Sequence, residues 1–219
     1  MRSRAAPLRV GVLVSGQGTN LLALLAACQR GSLPAQIVLA GCNRADAPAI
    51  GHARAAGVPV CLADRATYRE RADRQRRLRD ALQAAGTELV VLAGFDEICL
   101  PELVAAYPGR MINVHPSLLP SFGGSMHAIA RALERGVKVT GCTVHVVTDE
   151  TDAGPILLQK CVAVRDDDTE ASLRARIQAV EHVLLPGAVR AFAEGRVRIE
   201  GARAHVVGSR QRASHHLGL

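Results

Sequence analysis

Tryptophan is absent from this chain, and aromatic residues make up only 2% of its 219 positions. The stacked-base platforms of single-strand nucleic-acid binders therefore have almost nothing to be built from. Long apolar runs are missing too. The longest, such as Leu21 to Cys28 and Leu89 to Ala93, fall far short of the roughly 20 residues that a membrane span needs. The charged N-terminus leads straight into a strand-length apolar run without a cleavage site, so no signal peptide is expected. Six cysteines and eight histidines are present, but no Cys-x-x-Cys, His-x-x-x-His or mixed ligand spacing occurs among them. The expectation is a cytoplasmic protein with reduced, mostly buried thiols and no metal.

Acidic residues are in the minority, which leaves a formal charge of +7. The densest source is the stretch Arg65 to Arg79, whose arginines are interleaved with acids. Arg69 and Asp73, Asp73 and Arg77, and Arg76 and Asp80 stand at i,i+4, the spacing of neighbours on a helix surface. That pattern reads as a solvated helix face rather than a nucleic-acid footprint. At this length and 48% hydrophobic content, a single domain over residues 1–206 with a proper core is expected, and residues 207–219 read as a disordered tail. Nothing in the composition bears on the oligomeric state.

Strand-like runs at Leu8–Val14, Gln36–Cys42, Val58–Leu62 and Glu88–Ala93 alternate with helical stretches at Asn20–Gln29, Ala47–Ala56 and Thr67–Ala84. This rhythm implies right-handed βαβ units, hence an α/β fold with an open, mainly parallel sheet covered by helices on both faces. A short helix near Pro101–Ala106, a strand at Met111–Val114 and a helix near Ile129–Arg135 follow. Then Val139–Val147 and Ile156–Val164 are joined by one turn and no helix, which predicts a mixed or antiparallel extension. A long helix capped by Asp168 or Thr169 and bending at Pro186 is expected next, and a last strand or hairpin over Arg196–Val206.

The first strand runs into Ser15-Gly-Gln-Gly-Thr-Asn20 and then a helix. Backbone N–H groups of a glycine turn and a helix N-terminus thus converge at Gly18, Thr19 and Asn20, an anion-binding arrangement. The turn is not Gly-x-Gly-x-x-Gly, because Leu21 holds the last position, and no ribose-binding acid ends the second strand. A dinucleotide cofactor is therefore not expected. Further on, Arg110-Met-Ile-Asn-Val-His-Pro-Ser-Leu-Leu-Pro120 presents Asn113 and His115 two positions apart, on one face of a strand. The turn Thr148–Pro155 supplies a carboxylate, Asp152, able to orient or charge the imidazole. Each of the three has an ordinary reading as a turn or loop former; together they suit acyl chemistry. No Ser or Cys sits in a nucleophile elbow, so direct attack by a substrate amine is simpler than a covalent acyl-enzyme.

The motifs Val14–Leu21, Val91–Phe95, Ile112–Pro120, Gly141–Val147, Asp152–Ile156 and Arg176–His182, in this order and spacing, resemble those of phosphoribosylglycinamide formyltransferases, folate-dependent enzymes of purine synthesis. The resemblance runs from about Leu8 to Val206. It implies a Rossmann-like formyltransferase fold, with a phosphate-binding half near 8–110 and a catalytic and folate half near 111–206. It also implies the substrate 5-phosphoribosylglycinamide and the formyl donor 10-formyltetrahydrofolate. Carried over by motif, Gly18, Thr19 and Asn20 hold the phosphate, while Gln178 and Glu181 meet the ribose or glycinamide. Arg65, Phe95, Asp96, Glu97, Ile98, Thr148, Asp149, Glu150 and Thr151 line the folate pocket. Asn113, His115 and Asp152 are catalytic, supported by Ser117 and His145.

The expected chemistry is attack of the amine on the formyl carbon, with Asn113 and a protonated His115 donating to the oxyanion and Asp152 favouring the charged imidazole. Two departures from the family pattern stand out. Asp96-Glu97 replaces the common apolar residue and arginine, which adds negative charge beside the folate pocket, and the Ser121–His127 loop is about one residue longer than usual. The nearest alternatives are a formyltetrahydrofolate hydrolase, expected to carry an extra N-terminal regulatory domain, and a methionyl-tRNA formyltransferase, expected to carry a C-terminal RNA-binding domain. A non-catalytic nucleotide-binding module would leave Asn113, His115 and Asp152 unexplained.

Overall fold

A computed structural model describes residues 6–208. The expectations for the first five residues, and for the tail beyond Gly208, lie outside the described residues. Between these limits the chain runs β1 (Leu8–Val14), α1 (Thr19–Gln29), β2 (Ala35–Cys42), α2 (Pro48–Ala55), β3 (Val60–Leu62), α3 (Arg71–Ala84), β4 (Leu89–Leu92), α4 (Pro101–Ala105), β5 (Met111–His115), α5 (Ala128–Glu134), β6 (Val139–Val146), β7 (Ile156–Ala163) and α6 (Glu170–Ala193). A hairpin of β8 (Val197–Glu200) and β9 (Arg203–Val206) closes it.

Seven strands form one sheet in the order β3-β2-β1-β4-β5-β6-β7. Pairings from β3 through β5 are parallel, and those of β5 with β6 and β6 with β7 are antiparallel. The parallel part is fed by helical crossovers, and the antiparallel end needs only the turn before Ile156. Strand order reverses between β1 and β4. Ligands of open α/β sheets bind in the crevice beyond the strand ends at such a switch point.

Alternation along the strands assigns the two faces of the sheet. Val10, Val12 and Val14 of β1, Val91 of β4, and Ile112 and Val114 of β5 share one core with residues of α1, α2 and α6. Leu13, Val90, Leu92 and Met111 belong to the core under α3 and α4. With a side-chain period of two, Asn113 and His115 follow Met111 and point away from the first core. The antiparallel register sets Asn113 opposite His145 and His115 opposite Thr143, so four polar side chains meet on that face.

Helix α6 opens with a capping box, Thr169 accepting from the Ser172 N–H at 3.2 Å and Ser172 accepting from that of Thr169 at 3.0 Å. This satisfies two donors that a helix start otherwise leaves unpaired. Pro186 lies inside the helix without ending it. Leu173, Ile177, Glu181 and Leu185 are all buried at intervals of four, so a carboxylate occupies a place in the apolar stripe.

In the arginine-rich stretch the structure differs from expectation. Helix α3 starts at Arg71 rather than Thr67, because Asp64 holds the preceding turn by accepting from the N–H groups of Ala45 at 3.0 Å and Ala66 at 3.1 Å. The three expected i,i+4 pairs give way to Arg76 with Asp73 at 2.5 Å and Arg79 with Asp80 at 2.7 Å. Cysteines 42, 61, 99 and 142 are buried and Cys28 half-buried, which agrees with mostly buried thiols, while Cys161 is exposed near the end of β7.

Candidate active site

A cleft of about 740 Å³ opens at the switch point. Its walls come from the β1–α1 turn, the segment after β4, the end of β5, the Thr148–Asp152 turn and the inner face of α6.

One end of the cleft is a helix N-terminus. Gly18 is the N-cap of α1 in the left-handed region, at φ 73°, and no side chain caps the first turn. The N–H groups there are free to face the cleft, and Gly16 to Asn20 all line it. A Cβ on Gly18 would sit 2.7 Å from that of Ala49, so backbone angle and neighbour both demand glycine. Asn20 donates from Nδ2 to Glu181 Oε2 at 2.9 Å, across 161 residues of sequence. Its Oδ1 is buried without a protein partner. Burial pushes the Glu181 carboxyl up, against the Asn20 bond and the Arg174 charge. Gln178 lines the same end.

At the other end two imidazoles and a backbone N–H converge on Asp152. Its Oδ2 lies 3.4 Å from His115 Nδ1 and accepts from the Gly124 N–H at 2.8 Å. Its Oδ1 lies 3.4 Å from His145 Nε2. Asp152 holds a left-handed backbone, φ 55°, which aspartate adopts more readily than most residues. Burial raises its carboxyl, but the His145 bond, the His115 charge and the Gly124 N–H together outweigh this and hold it below the ordinary value. His145 Nδ1 lies 3.0 Å from the Val146 carbonyl. Its Nε2 also lies 3.2 Å from Asn113 Nδ2, and the Asn113 side chain so placed lines the cleft.

His115 departs from expectation. Its two nitrogens face acceptors, Asp152 on one side and the Phe122 carbonyl at 3.2 Å on the other. Burial nevertheless dominates, and despite the raising effects of Asp152 and Phe122, with His145 adding to the fall, its pKa lies below 6.5. The resting imidazole at neutral pH is therefore mainly neutral, not the protonated donor expected from the sequence.

Of the expected folate residues, Phe95, Asp96, Glu97, Ile98, Thr148, Glu150 and Thr151 line the cleft, and Arg65 and Asp149 do not. Arg65 pairs with Asp96 at 2.5 Å and Glu97 at 3.2 Å. The arginine on the cleft wall from this region is Arg71, at the start of α3. Arg174 and Met126 are further wall residues without a sequence signal of their own. Nor does Asp96-Glu97 leave bare negative charge there, because arginines neutralise both. Ser117 is fully buried off the cleft; it donates to the Ser121 carbonyl at 2.5 Å and fixes the loop that carries Phe122. Cys99 does line the cleft, but burial, helped by Glu97, pushes its thiol up to about 12. It is a poor nucleophile at neutral pH. No group of three or more metal-ligating side chains occurs among the described residues, and no described helix is long and apolar enough to cross a membrane.

The sequence profile of the formyl transferase family matches residues 8–189. The chain belongs to the formyl transferase family. Among members, it is 42% identical over 200 residues to the phosphoribosylglycinamide formyltransferase of Mycobacterium tuberculosis, covering 91% of this chain and 92% of that one. It is 41% identical over 191 residues to the trifunctional purine biosynthetic protein adenosine-3 of Bos taurus, covering 87% of this chain but only 19% of that protein. The crystal structure of glycinamide ribonucleotide transformylase 1 from Symbiobacterium toebii superposes with a TM-score of 0.90 at 46% identity, over 94% of this chain and 97% of that one. The formyl transferase match covers the glycine turn, β5 and the Asp152 turn alike, so both ends of the cleft fall inside it.

Proposed function

We propose that this chain transfers the formyl group of 10-formyltetrahydrofolate to the amine of 5-phosphoribosylglycinamide, in the cytoplasm. One observation carries the reading: a single cleft has an uncapped helix N-terminus at one end and Asn113, His115 and Asp152 at the other. The phosphate of the acceptor docks on the N–H groups at Gly18, Thr19 and Asn20, and Gln178 and Glu181 meet its sugar or glycinamide. The donor lies along Phe95–Ile98 and the Thr148–Asp152 turn. The amine attacks the formyl carbon, a C–N bond forms, and the carbonyl oxygen becomes an oxyanion to which Asn113 Nδ2 donates. Neutral His115 takes the proton of the attacking amine, Asp152 stabilises the imidazolium so formed, and the proton passes to the departing donor nitrogen as its bond to the formyl carbon breaks.

Purified protein is incubated with 10-formyltetrahydrofolate, with and without phosphoribosylglycinamide, and donor loss is followed. Loss only in the presence of the amine is expected; equal loss without it would make the protein a hydrolase. Gly18→Ala tests the phosphate end. A Cβ forced against Ala49 at φ 73° displaces the N–H cradle, at a strain of about 1–2 kcal/mol for a left-handed non-glycine residue. The Michaelis constant for phosphoribosylglycinamide should rise roughly tenfold, the factor that 1.4 kcal/mol represents, and that for the donor should hold. Equal changes in both constants would remove the phosphate assignment.

A further inference from the structure

The acidic pair Asp96-Glu97 has no part in the chemistry above, yet it sits in one of the densest polar networks of the protein. Glu97 is almost buried, its side chain 5% exposed, against 10% for Arg74. It accepts from Arg74 Nε at 2.8 Å and Arg65 Nε at 3.2 Å, and more weakly from Gln75 Nε2 at 3.4 Å. Arg74 Nη1 also donates to the carbonyls of Tyr68 at 2.5 Å and Arg69 at 2.7 Å, in the turn just before α3. Gln75 reaches the same wall twice, donating to the Ile98 carbonyl at 2.9 Å and accepting from the Leu100 N–H at 2.7 Å. Asp96 accepts from Arg65 at 2.5 Å and from Asn43, at the end of β2, at 2.9 Å. The Asp96 N–H donates to Ser15, at the end of β1, at 3.0 Å.

The segment so held, from Phe95 to Cys99, belongs to no helix or strand and forms one wall of the cleft. Arg74 and Gln75 stand three and four residues after Arg71, on the same face of α3. The network therefore joins two walls: the extended segment, and the helix start that carries the Arg71 guanidinium. Stability alone does not explain such a pair, since replacing a buried ion pair with well-packed apolar residues is often neutral or stabilising. Its effect is geometric.

We propose that Glu97, clamped by Arg74 and Arg65, is a positioning residue for the donor end of the cleft, setting the Phe95–Cys99 wall and the Arg71 guanidinium at the spacing the folate donor needs. This rests on the reading of that end as the folate site. It also accounts for the acidic pair, which departs from the common family pattern: here the carboxylate orients arginines from within the wall and does not itself face the ligand as a bare charge.

The test is the double variant Arg74→Leu/Glu97→Leu, which leaves neither charge buried alone and so retains the fold. The donor Michaelis constant should rise about tenfold, the factor that a loss of about 1.4 kcal/mol in donor binding represents. Turnover and the constant for phosphoribosylglycinamide should stay within a factor of about two, because the acyl centre and the phosphate end make no contact with the clamp. Arg65→Ala, at a position 41% exposed, should give the same split with a smaller rise. An unchanged donor constant, or both constants rising together, overturns the proposal. Calorimetric titration with 5-formyltetrahydrofolate, which reads the donor end without catalysis, separates the two readings. Wild-type protein that binds this folate while transferring nothing to phosphoribosylglycinamide would sink the transferase assignment, and the tenfold weakening in the double variant would still decide the clamp.

Discussion

Replacing Asn113 by alanine is expected to lower turnover by about two to three orders of magnitude, the loss measured when one oxyanion donor is removed from other acyl-transfer enzymes. The side chain is placed for that role by strand register rather than by a loop. Asn113 stands opposite His145 in the antiparallel pairing of β5 with β6, and its Nδ2 lies 3.2 Å from His145 Nε2. That contact holds the amide at the cleft, which Asn113 lines. Charge appears on the formyl oxygen only as the amine attacks, so the loss should fall on turnover, with both Michaelis constants within a few-fold. Asn113→Asp keeps the size but sets an acceptor where a donor is needed, and should be at least as slow. Steady-state rates at saturating levels of both substrates make the comparison; a folded alanine variant within tenfold of wild type would take the oxyanion role away from Asn113.

The sheet was legible because its strands are short apolar runs separated by helical lengths, and because β6 and β7 have only a turn between them. Both ends of the cleft were legible for a related reason. A glycine turn followed by a helix start leaves N–H groups without partners inside the helix, and residues two apart on a strand must share a face. The arginine-rich stretch was not legible. Arg65 and Arg71 lie six residues apart among like side chains, and the register that decides which one reaches the cleft depends on Asp64 capping the turn before α3. Asp96 and Glu97 read as added negative charge for the same reason, since their arginine partners are distant in sequence. The protonation of His115 also escaped. Sequence shows a carboxylate partner but not the burial that outweighs it. Glu181, by contrast, did leave a signal: a carboxylate at an apolar place in the i,i+4 stripe of α6.

The charge of Asp152 is the other feature whose removal should be severe, and its consequences extend to the pH profile. Asp152→Asn keeps the volume and still accepts from the Gly124 N–H, but it cannot stabilise the imidazolium that His115 becomes when it takes the proton. Turnover should fall by about two orders of magnitude or more, within the range that general acid-base groups supply. The direction of the pH effect follows from the geometry. His115 must be neutral to accept the proton, so activity fails as pH falls through its folded pKa, which burial already holds below 6.5. Asp152 is a raising influence on that pKa; without its charge the acid limb of kcat/KM should move to still lower pH. Stability carries a second sign. The folded Asp152 carboxyl lies below 3.8, so its ionised form contributes stability that is present above that value and lost as pH falls through the folded pKa. The variant should therefore be somewhat less stable than wild type at neutral pH and equal to it in strong acid. Because the carboxylate acts only through the imidazole, Asp152→Asn/His115→Ala should be barely slower than His115→Ala alone. Additive losses in that cycle, or an acid limb that does not move, would leave Asp152 as a turn residue that happens to lie beside the chemistry.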